Sequence, residues 1–250
     1  MEKKIEEYLR KRSREGEKSI FILVDPEKTP ESEERLLEHA NRIVSEGVDL
    51  FLVGGSLGVA GDILDKTVLT LKKTGAPVVL FPGSVAGISK YADAVLFISL
   101  LNSDNPYYII GAQVEGAVII RRLGLEAIPT AYLIIGSGGA AGFMGRARPI
   151  PWDMSYIALA YAITAEMMGM RFIYLEAGSG SERSVPPETV SLIKKNTSLY
   201  VITGGGIRDK ETACELLRAG ADAIVLGTIF EKDIEKTIEI IRSVKKTKCI

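Results

Sequence analysis

Ten residues late in the chain combine a short apolar run, one carboxylate and two glycines. The stretch is RFIYLEAGSG, residues 171–180. Residues 172–175 are all apolar or aromatic, which is typical of a strand buried on both faces, as in a parallel sheet. Glu176 follows directly, where parallel barrels place their chemistry. The glycines after it let backbone N–H groups approach an anion, so the sequence predicts a functional carboxylate beside an anion site.

Two later strand ends repeat this arrangement of small residues. They are VITGGGI at 201–207 and IVLGTIF at 224–230. Small residues at three strand ends predict one phosphate that is held by several loops. A dinucleotide site is disfavoured, because GGGIR at 204–208 lies late in the chain and no second half of such a domain follows it.

The positions of the apolar runs predict the fold. Five earlier runs end in turn residues, at 19–24, 49–53, 77–81, 94–101 and 126–135. With the three strands above, they give about eight strands that alternate with helices. We predict an α/β protein with a single domain over 1–250, a (β/α)8 TIM barrel, and a charged amphipathic helix in residues 1–18 before the first strand. Pro129 implies that the fifth strand starts after it or that the barrel bends there.

Charge and cysteine content limit the classes of partner. The 250 residues hold 31 Lys and Arg against 32 Asp and Glu. A net charge near −1 gives no long-range attraction to nucleic acid. Cys214 and Cys249 lack the density or spacing of a disulfide framework or a zinc site, and the charged N-terminus lacks the apolar core of a secretory signal. A cytoplasmic location is the expectation.

Two oxygen-bearing side chains at neighbouring strand ends predict a metal site. Asp25 ends the first strand, and Ser56 follows the second after two glycines. Together they could share a Mg²⁺ that keeps several waters and binds a diphosphate. Two alternatives stay open: Asp25 could be an ion-pair partner, and Ser56 could be a turn residue. His39 lies on the charged face of a helix, where a solvated role is favoured.

Two later segments allow more than one interpretation. Residues 136–148 are too glycine-rich for a regular element, which indicates either a flap near the site or a surface loop. Residues 153–170 form a helix that is apolar nearly all round, to be buried against a partner subunit or against the barrel. Such a surface predicts a homo-oligomer. Trp152 could pack at the start of this helix or anchor an interface.

Five motifs, taken together, resemble the geranylgeranylglyceryl phosphate synthase family of archaeal lipid biosynthesis. They are LVDPEKTP at 23–30, VGGS at 53–56, YLEAGSG at 174–180, TGGGIR at 203–208 and LGT at 226–228. The resemblance spans nearly the whole chain. Within the family, the chain resembles the larger-subunit branch. It implies a modified TIM barrel that joins geranylgeranyl diphosphate to the 3-hydroxyl of sn-glycerol 1-phosphate and releases diphosphate, with Mg²⁺ present.

The resemblance also implies roles for individual residues. It implies Asp25 and Ser56 at the metal and Tyr132, within IPTAYL at 128–133, near the prenyl chain. Around glycerol phosphate it implies Tyr174, Leu175, Glu176, Ala177, Gly178, Ser179, Gly180, Gly205, Gly206, Gly227 and Thr228. Glu176 is then the catalytic residue, a base that takes the proton of the attacking hydroxyl. A prenyl substrate or product also implies transient contact with a membrane surface.

Two rival functions are kept as alternatives. Another phosphate-binding barrel enzyme, such as a sugar-phosphate isomerase or an indole-glycerol-phosphate synthase type, would need a second catalytic acid or a Lys at other strand ends. A glycerol-phosphate-sensing RNA-binding regulator would need a basic stripe and stacking aromatics. The near-zero net charge argues against the regulator.

Overall fold

Eight parallel strands close into one barrel. The computed structural model describes residues 4–28, 32–55, 57, 59–246 and 249. Each strand pairs with the next along the chain, and the last pairs with the first. The predicted TIM barrel is therefore confirmed. The strands are β1 Ser19–Val24, β2 Leu50–Val53, β3 Val78–Leu80, β4 Ala94–Leu100, β5 Glu126–Ile134, β6 Phe172–Glu176, β7 Tyr200–Gly204 and β8 Ala223–Leu226.

The strands are apolar on both faces because the barrel has two separate apolar layers. One layer lies between the strands and the surrounding helices and includes Ile22, Val53 and Leu175. The other fills the inside of the barrel and includes Phe21 and Tyr174. Because alternate residues of a strand point to opposite faces, each strand needs apolar residues at consecutive positions.

Ten helices are described around these strands. They are α1 Lys4–Arg14, α2 Glu33–Ser45, α3 Gly61–Lys72, α4 Ala112–Leu123, α5 Gly139–Met144, α6 Ser155–Met167, α7 Pro187–Asn196, α8 Lys210–Arg218, α9 Thr228–Lys232 and α10 Ile234–Lys246. A π-helical turn, Tyr107–Gly111, leads into α4. Within the described residues, no helix is long and apolar enough to cross a membrane.

The barrel departs from the regular pattern after β3. There the chain reaches β4 through residues 81–93 with only a 3₁₀ turn, Val85–Gly87, in place of a helix. Val85 and Ile88 from this connection line a cavity together with residues of β4 and α4. The missing helix therefore leaves room for an apolar cavity beside the barrel.

Helix α1, which precedes the first strand, covers the amino end of the barrel. The backbone N–H groups of Ile5 and Glu6 donate to the two carboxylate oxygens of Glu126, at 2.8 Å each. The Glu6 side chain pairs with Arg171 at the start of β6. Leu9 is buried among the residues that fill the barrel.

Two expectations need correction, and one of the two alternatives at Pro129 is excluded. Cys214 and Cys249 form a disulfide, because α10 packs against α8 and Cys249 also lies beside α8, where its carbonyl oxygen accepts from Arg218. Their separation of 35 residues does not reveal this proximity. Strand β5 runs through Pro129 in unbroken register with β4, so it does not start after that residue. The glycine-rich 136–148 segment contains a regular element, α5.

Helix α6, which lies within the apolar segment 153–170, has one buried face and one exposed face. The small residues Ser155, Ala158, Ala162 and Ala165 pack against the protein's own barrel layer. On the opposite side, Tyr156 and Met167 are 65% and 83% exposed. Trp152 packs its ring over Gly136, where a Cβ would lie 2.0 Å from the ring. This contact supports packing at the start of the helix as the role of Trp152.

Candidate active site

Glu176 is the last residue of β6 and is only 6% exposed. The backbone N–H of Gly178 donates to its Oε1 at 2.6 Å, and the Tyr132 hydroxyl lies 3.5 Å from its Oε2. Burial raises the pKa of the Glu176 carboxyl to about 7, while the hydrogen bonds from Gly178, Tyr174 and Tyr132 oppose that rise. A carboxyl with such a pKa can accept a proton near neutral pH.

Within the described ranges of the chain, no cation neutralises the Glu176 carboxylate. Among the described residues, Glu176 forms no ion pair with a Lys, Arg or His side chain. A buried carboxylate without a counter-charge is costly to keep ionised. Perturbed groups of this kind concentrate at functional sites.

Glu176 lies where two cavities of different chemistry meet. One cavity, of about 420 Å³, is mostly apolar and extends between β4, α4 and the segment after β3. The other, of about 340 Å³, is lined by glycines from the loops after β6, β7 and β8. Leu23, Glu176 and Ser179 line both cavities. We call them the apolar cavity and the glycine cavity.

The glycine cavity brings together most of the residues predicted around a phosphate. Gly205 has φ +81° and so suits a residue without a side chain, and a Cβ there would lie 2.6 Å from Glu176 Oε1. The Ser179 and Thr228 hydroxyls are hydrogen-bonded to each other at 3.1 Å, which joins the loops after β6 and β8. The predicted residues that line it are Tyr174, Glu176, Ser179, Gly180, Gly205, Gly206, Gly227 and Thr228.

Three of the predicted phosphate residues do not line this cavity. Leu175 and Ala177 are buried in the layer between strands and helices. Gly178, with φ +106°, turns the chain so that its N–H reaches Glu176. These three residues help to hold the loop and the Glu176 carboxylate in position.

Sequence reasoning missed the cations of the glycine cavity. Arg208, Lys232 and Lys236 line it. Arg208 also donates to the carbonyl oxygens of Gly180 and Ser181 at 2.8 and 2.7 Å, which holds the β6 loop in place. Two signals could have found them: Arg208 ends the TGGGIR motif, and Lys232 and Lys236 are four residues apart. The cavity therefore combines backbone N–H groups with positive charge, as an anion requires.

The structure places Asp25 beside the second strand end but leaves the proposed metal pair incomplete. Ser56 lies outside the described residues. Lys28 Nζ lies 2.8 Å from Asp25 Oδ2, so the ion-pair alternative for Asp25 is observed. A Cβ on Gly55 would lie 2.8 Å from Asp25 Oδ1, and Gly55 itself lines the apolar cavity.

The donor chemistry at Asp25 fits a Mg²⁺ that arrives with a diphosphate. Magnesium is usually held by one or two carboxylates, waters and substrate phosphate oxygens. The Lys28 side chain is largely exposed and can move away from Asp25. No group of three His, Cys, Asp or Glu side chains within the described residues forms an all-protein metal site.

Tyr132 lines the apolar cavity, on the wall next to Glu176. Burial raises the pKa of the Tyr132 phenol well above its usual value, so the phenol stays neutral and donates a hydrogen bond. The other lining residues are mainly Leu, Ile, Val, Phe, Ala and Gly. This wall suits an extended hydrocarbon chain.

Known proteins share this fold and sequence over nearly their whole length. A family model described as the PcrB family matches residues 12–246. Geranylgeranylglyceryl phosphate synthase of Metallosphaera sedula is 46% identical over 97% of this chain and 96% of its own. The Saccharolobus solfataricus protein of the same name is 48% identical over 97% and 94%.

Solved structures agree with these relatives. The (S)-3-O-geranylgeranylglyceryl phosphate synthase of Thermoplasma acidophilum, in complex with its substrate sn-glycerol-1-phosphate, superposes with a TM-score of 0.92 at 38% identity and covers 97% of this chain and 98% of that one. A thiamine phosphate pyrophosphorylase of Pyrococcus furiosus, at 18% identity and a TM-score of 0.57 over 90% and 94%, shares the fold alone. On this sequence and structural evidence, the chain belongs to the PcrB family.

Proposed function

We propose that this chain is a prenyltransferase that joins geranylgeranyl diphosphate to the 3-hydroxyl of sn-glycerol 1-phosphate. The observation that carries the proposal is Glu176, a buried carboxyl with a pKa of about 7, at the junction of an apolar cavity and a cationic glycine cavity. The names of the relatives give the same activity.

The two cavities suit the two substrates. Glycerol phosphate binds in the glycine cavity, where Arg208, Lys232 and Lys236 attract the phosphate and the N–H groups of the glycine loops approach it closely. The prenyl chain leaves water for the apolar cavity, and each buried CH₂ contributes about 0.8 kcal/mol. The reacting ends of both substrates then meet beside Glu176.

Glu176 serves as the general base. The glycerol hydroxyl gives its proton to Glu176 as its oxygen bonds to C1 of the prenyl group. The C1–O bond to diphosphate breaks, and the electron pair leaves with the diphosphate oxygen. Tyr132 and the Gly178 N–H hold the carboxylate in place for this step.

Asp25, together with Ser56, is the proposed place for Mg²⁺. The bound ion would neutralise charge on the leaving diphosphate. Asp25 neighbours Gly55 at the edge of the apolar cavity, so a diphosphate held there would direct its prenyl chain inward. Lys28 would have to release Asp25 Oδ2 when the ion binds.

Labelled sn-glycerol 1-phosphate and a series of prenyl diphosphates test the proposed function. The expected result is a labelled prenylglyceryl phosphate and an equal amount of diphosphate, with no product in excess chelator. Full activity in excess chelator would refute the proposed requirement for Mg²⁺. The proposed transferase activity would be refuted if the folded protein, with Mg²⁺ present, gave no product from any prenyl donor.

A homo-oligomer and contact with a membrane surface remain part of the proposal. The exposed apolar face of α6, with Tyr156 and Met167, supports association between copies. Phe143 is 84% exposed beside Met144, which lines the apolar cavity, so a lipid surface could meet the cavity there. Sedimentation that gives only monomer at micromolar concentration would contradict the oligomer.

A further inference from the structure

Three aromatic rings form a contiguous group next to Glu176. Phe81 and Tyr174 stack with centroids 5.0 Å apart and planes 23° from parallel. Tyr132 meets Phe81 and Tyr174 edge-on, at 5.5 and 5.3 Å. We call these three residues the ring cluster. Among the residues lining the apolar cavity, Phe81 and Tyr132 belong to it, and Tyr174 lines the glycine cavity behind them.

The ring cluster lies between the proposed base and the proposed diphosphate position. Tyr132 reaches Glu176 with its hydroxyl. On the other side, the backbone of Phe81 packs so closely on Gly54 that a Cβ there would lie 1.8 Å from the Phe81 carbonyl oxygen. The next residue, Gly55, contacts Asp25. The Phe81 backbone therefore lies on the side of the proposed diphosphate position, and its ring contacts the two tyrosines next to Glu176. In the proposed reaction, C1 of the prenyl group lies between these two sides.

The chemistry of the proposed reaction develops positive charge in this gap. When the C1–O bond to diphosphate breaks, its electron pair leaves with oxygen, and the allylic carbons carry positive charge until the glycerol oxygen supplies a new pair to C1. Water would solvate that charge, but the cavity wall is apolar. The face of an aromatic ring attracts a cation through its quadrupole, most strongly where water is excluded.

We propose that the ring cluster stabilises the developing allylic cation, with Phe81 and Tyr132 in contact with the reacting carbons and Tyr174 supporting Phe81 from behind. The inference rests on the proposed transferase function. It assigns Phe81 a catalytic role beyond lining the cavity. Burial keeps both tyrosines neutral, so their rings act as π-faces and Glu176 remains the proton acceptor.

Fluorinated phenylalanines at position 81 test this role. Each added fluorine withdraws electron density from the ring face and barely changes its size. The measurement is the single-turnover rate of prenyl transfer for the protein with one, two and three fluorines on that ring. We expect the logarithm of the rate to fall in even steps, by roughly tenfold over the series. The melting temperature and the Kd for glycerol phosphate should stay unchanged.

Phe172 supplies the matched control. It is a buried ring inside the barrel, like Phe81 it packs on a tyrosine ring, that of Tyr200 at 4.8 Å, and it lines neither cavity. The same fluorine series at position 172 should leave the transfer rate within a factor of about two, because Phe172 starts β6, four residues before Glu176, and so lies away from the reacting carbon.

Two outcomes would overturn the inference, and they can be told apart. A rate that is independent of fluorine number at Phe81, together with a large loss in Phe81→Leu, would mean that the ring only fills space. An unsubstituted protein that transfers no prenyl group to glycerol phosphate would refute the proposed function and this inference with it. A graded loss at position 81 but not at position 172 would support both.

Discussion

Glu176 at the carboxyl end of the barrel is held differently from the buried carboxylates at the amino end. At the amino end, Asp49, Glu126 and Asp222 are buried just before or at the start of their strands. Lys245 pairs with Asp49 at 2.7 Å and Lys194 pairs with Asp222 at 2.6 Å. Glu126 accepts from the N–H groups of Ile5 and Glu6 in the first turn of α1, so the positive end of that helix faces it. At the carboxyl end, Glu176 is equally buried, but within the part of the chain that the structure describes it has hydrogen bonds and no ion pair.

The difference separates stability from function. A buried charge that is paired and fully hydrogen-bonded can be kept at little net cost, whereas an unpaired one is destabilising. The amino end therefore holds α1 and the last helix onto the barrel. The carboxyl end keeps Glu176 unpaired, at a cost in stability that a proton-transfer role would explain.

Replacement of one carboxyl at each end of the barrel should give the largest contrast in turnover and in melting temperature. Glu176→Gln keeps size but removes the proton acceptor, so turnover should fall at least about a hundredfold while glycerol phosphate binds nearly as well. Glu126→Gln should leave turnover unchanged and lower the melting temperature, because one N–H of α1 loses a charged acceptor. A loss of less than tenfold in Glu176→Gln would leave Glu176 only a positioning role.

The pH dependence of stability should also differ between wild type and Glu176→Gln. Because the folded pKa of Glu176 is about 7, the folded protein keeps a proton that the unfolded chain has lost above about pH 4.5. The stability that this bound proton gives the folded state is fully present below pH 4.5 and is lost as the pH rises to 7. Wild type should therefore lose about 3 kcal/mol relative to the variant between pH 4.5 and 8. Parallel stability curves by denaturant titration would contradict the raised pKa.

Removal of a paired carboxylate at the amino end should cost stability without affecting transfer. Asp222 accepts hydrogen bonds from Ser13, Lys194 and the Val201 N–H. Asp222→Ala leaves these donors without their acceptor, so the free energy of unfolding should fall by about 2 kcal/mol or more. Turnover per folded molecule should be unchanged, and a large drop in turnover would mean that the two ends are not separate in function.

A single methyl group at the carboxyl end should have a smaller effect on stability and a visible one on rate. In Gly205→Ala, the new Cβ would lie 2.6 Å from Glu176 Oε1 and the backbone would keep a positive φ. The strain is about 1–2 kcal/mol. Displacement of the carboxylate should lower turnover by roughly tenfold. Gly180→Ala is the control, since it also has positive φ but no atom within 4 Å of a Cβ.

The sequence predicts the fold well because each strand carries its own signal. Apolar runs at consecutive positions mark strands buried on both sides, and Asp25 and Glu176 stand out as charges that directly follow such runs. Pro129 left two alternatives open for the fifth strand, because the propensity rule is local whereas β5 is held in register by both neighbours. Tertiary pairing overrides such a local preference.

The rest of the site depends on contacts between distant parts of the chain. Arg208 and Lys232 become cavity residues only when the loops after β7 and β8 converge. The Cys214–Cys249 disulfide and the ring cluster arise in the same way. The missing helix after β3, which opens the apolar cavity, has no sequence signal beyond a short, turn-rich connection.

Titration of the Glu176 carboxyl tests the difference between the two ends most directly. The protein is labelled with ¹³C at the δ-carboxyl of glutamate, and the Glu176 signal is assigned by its absence in Glu176→Gln. In the protein free of phosphate and metal, the account predicts a midpoint at about pH 7. A midpoint near 4.5, the ordinary value for a glutamate, would mean that the carboxylate is already stabilised as an anion, and would contradict its role as an unpaired base.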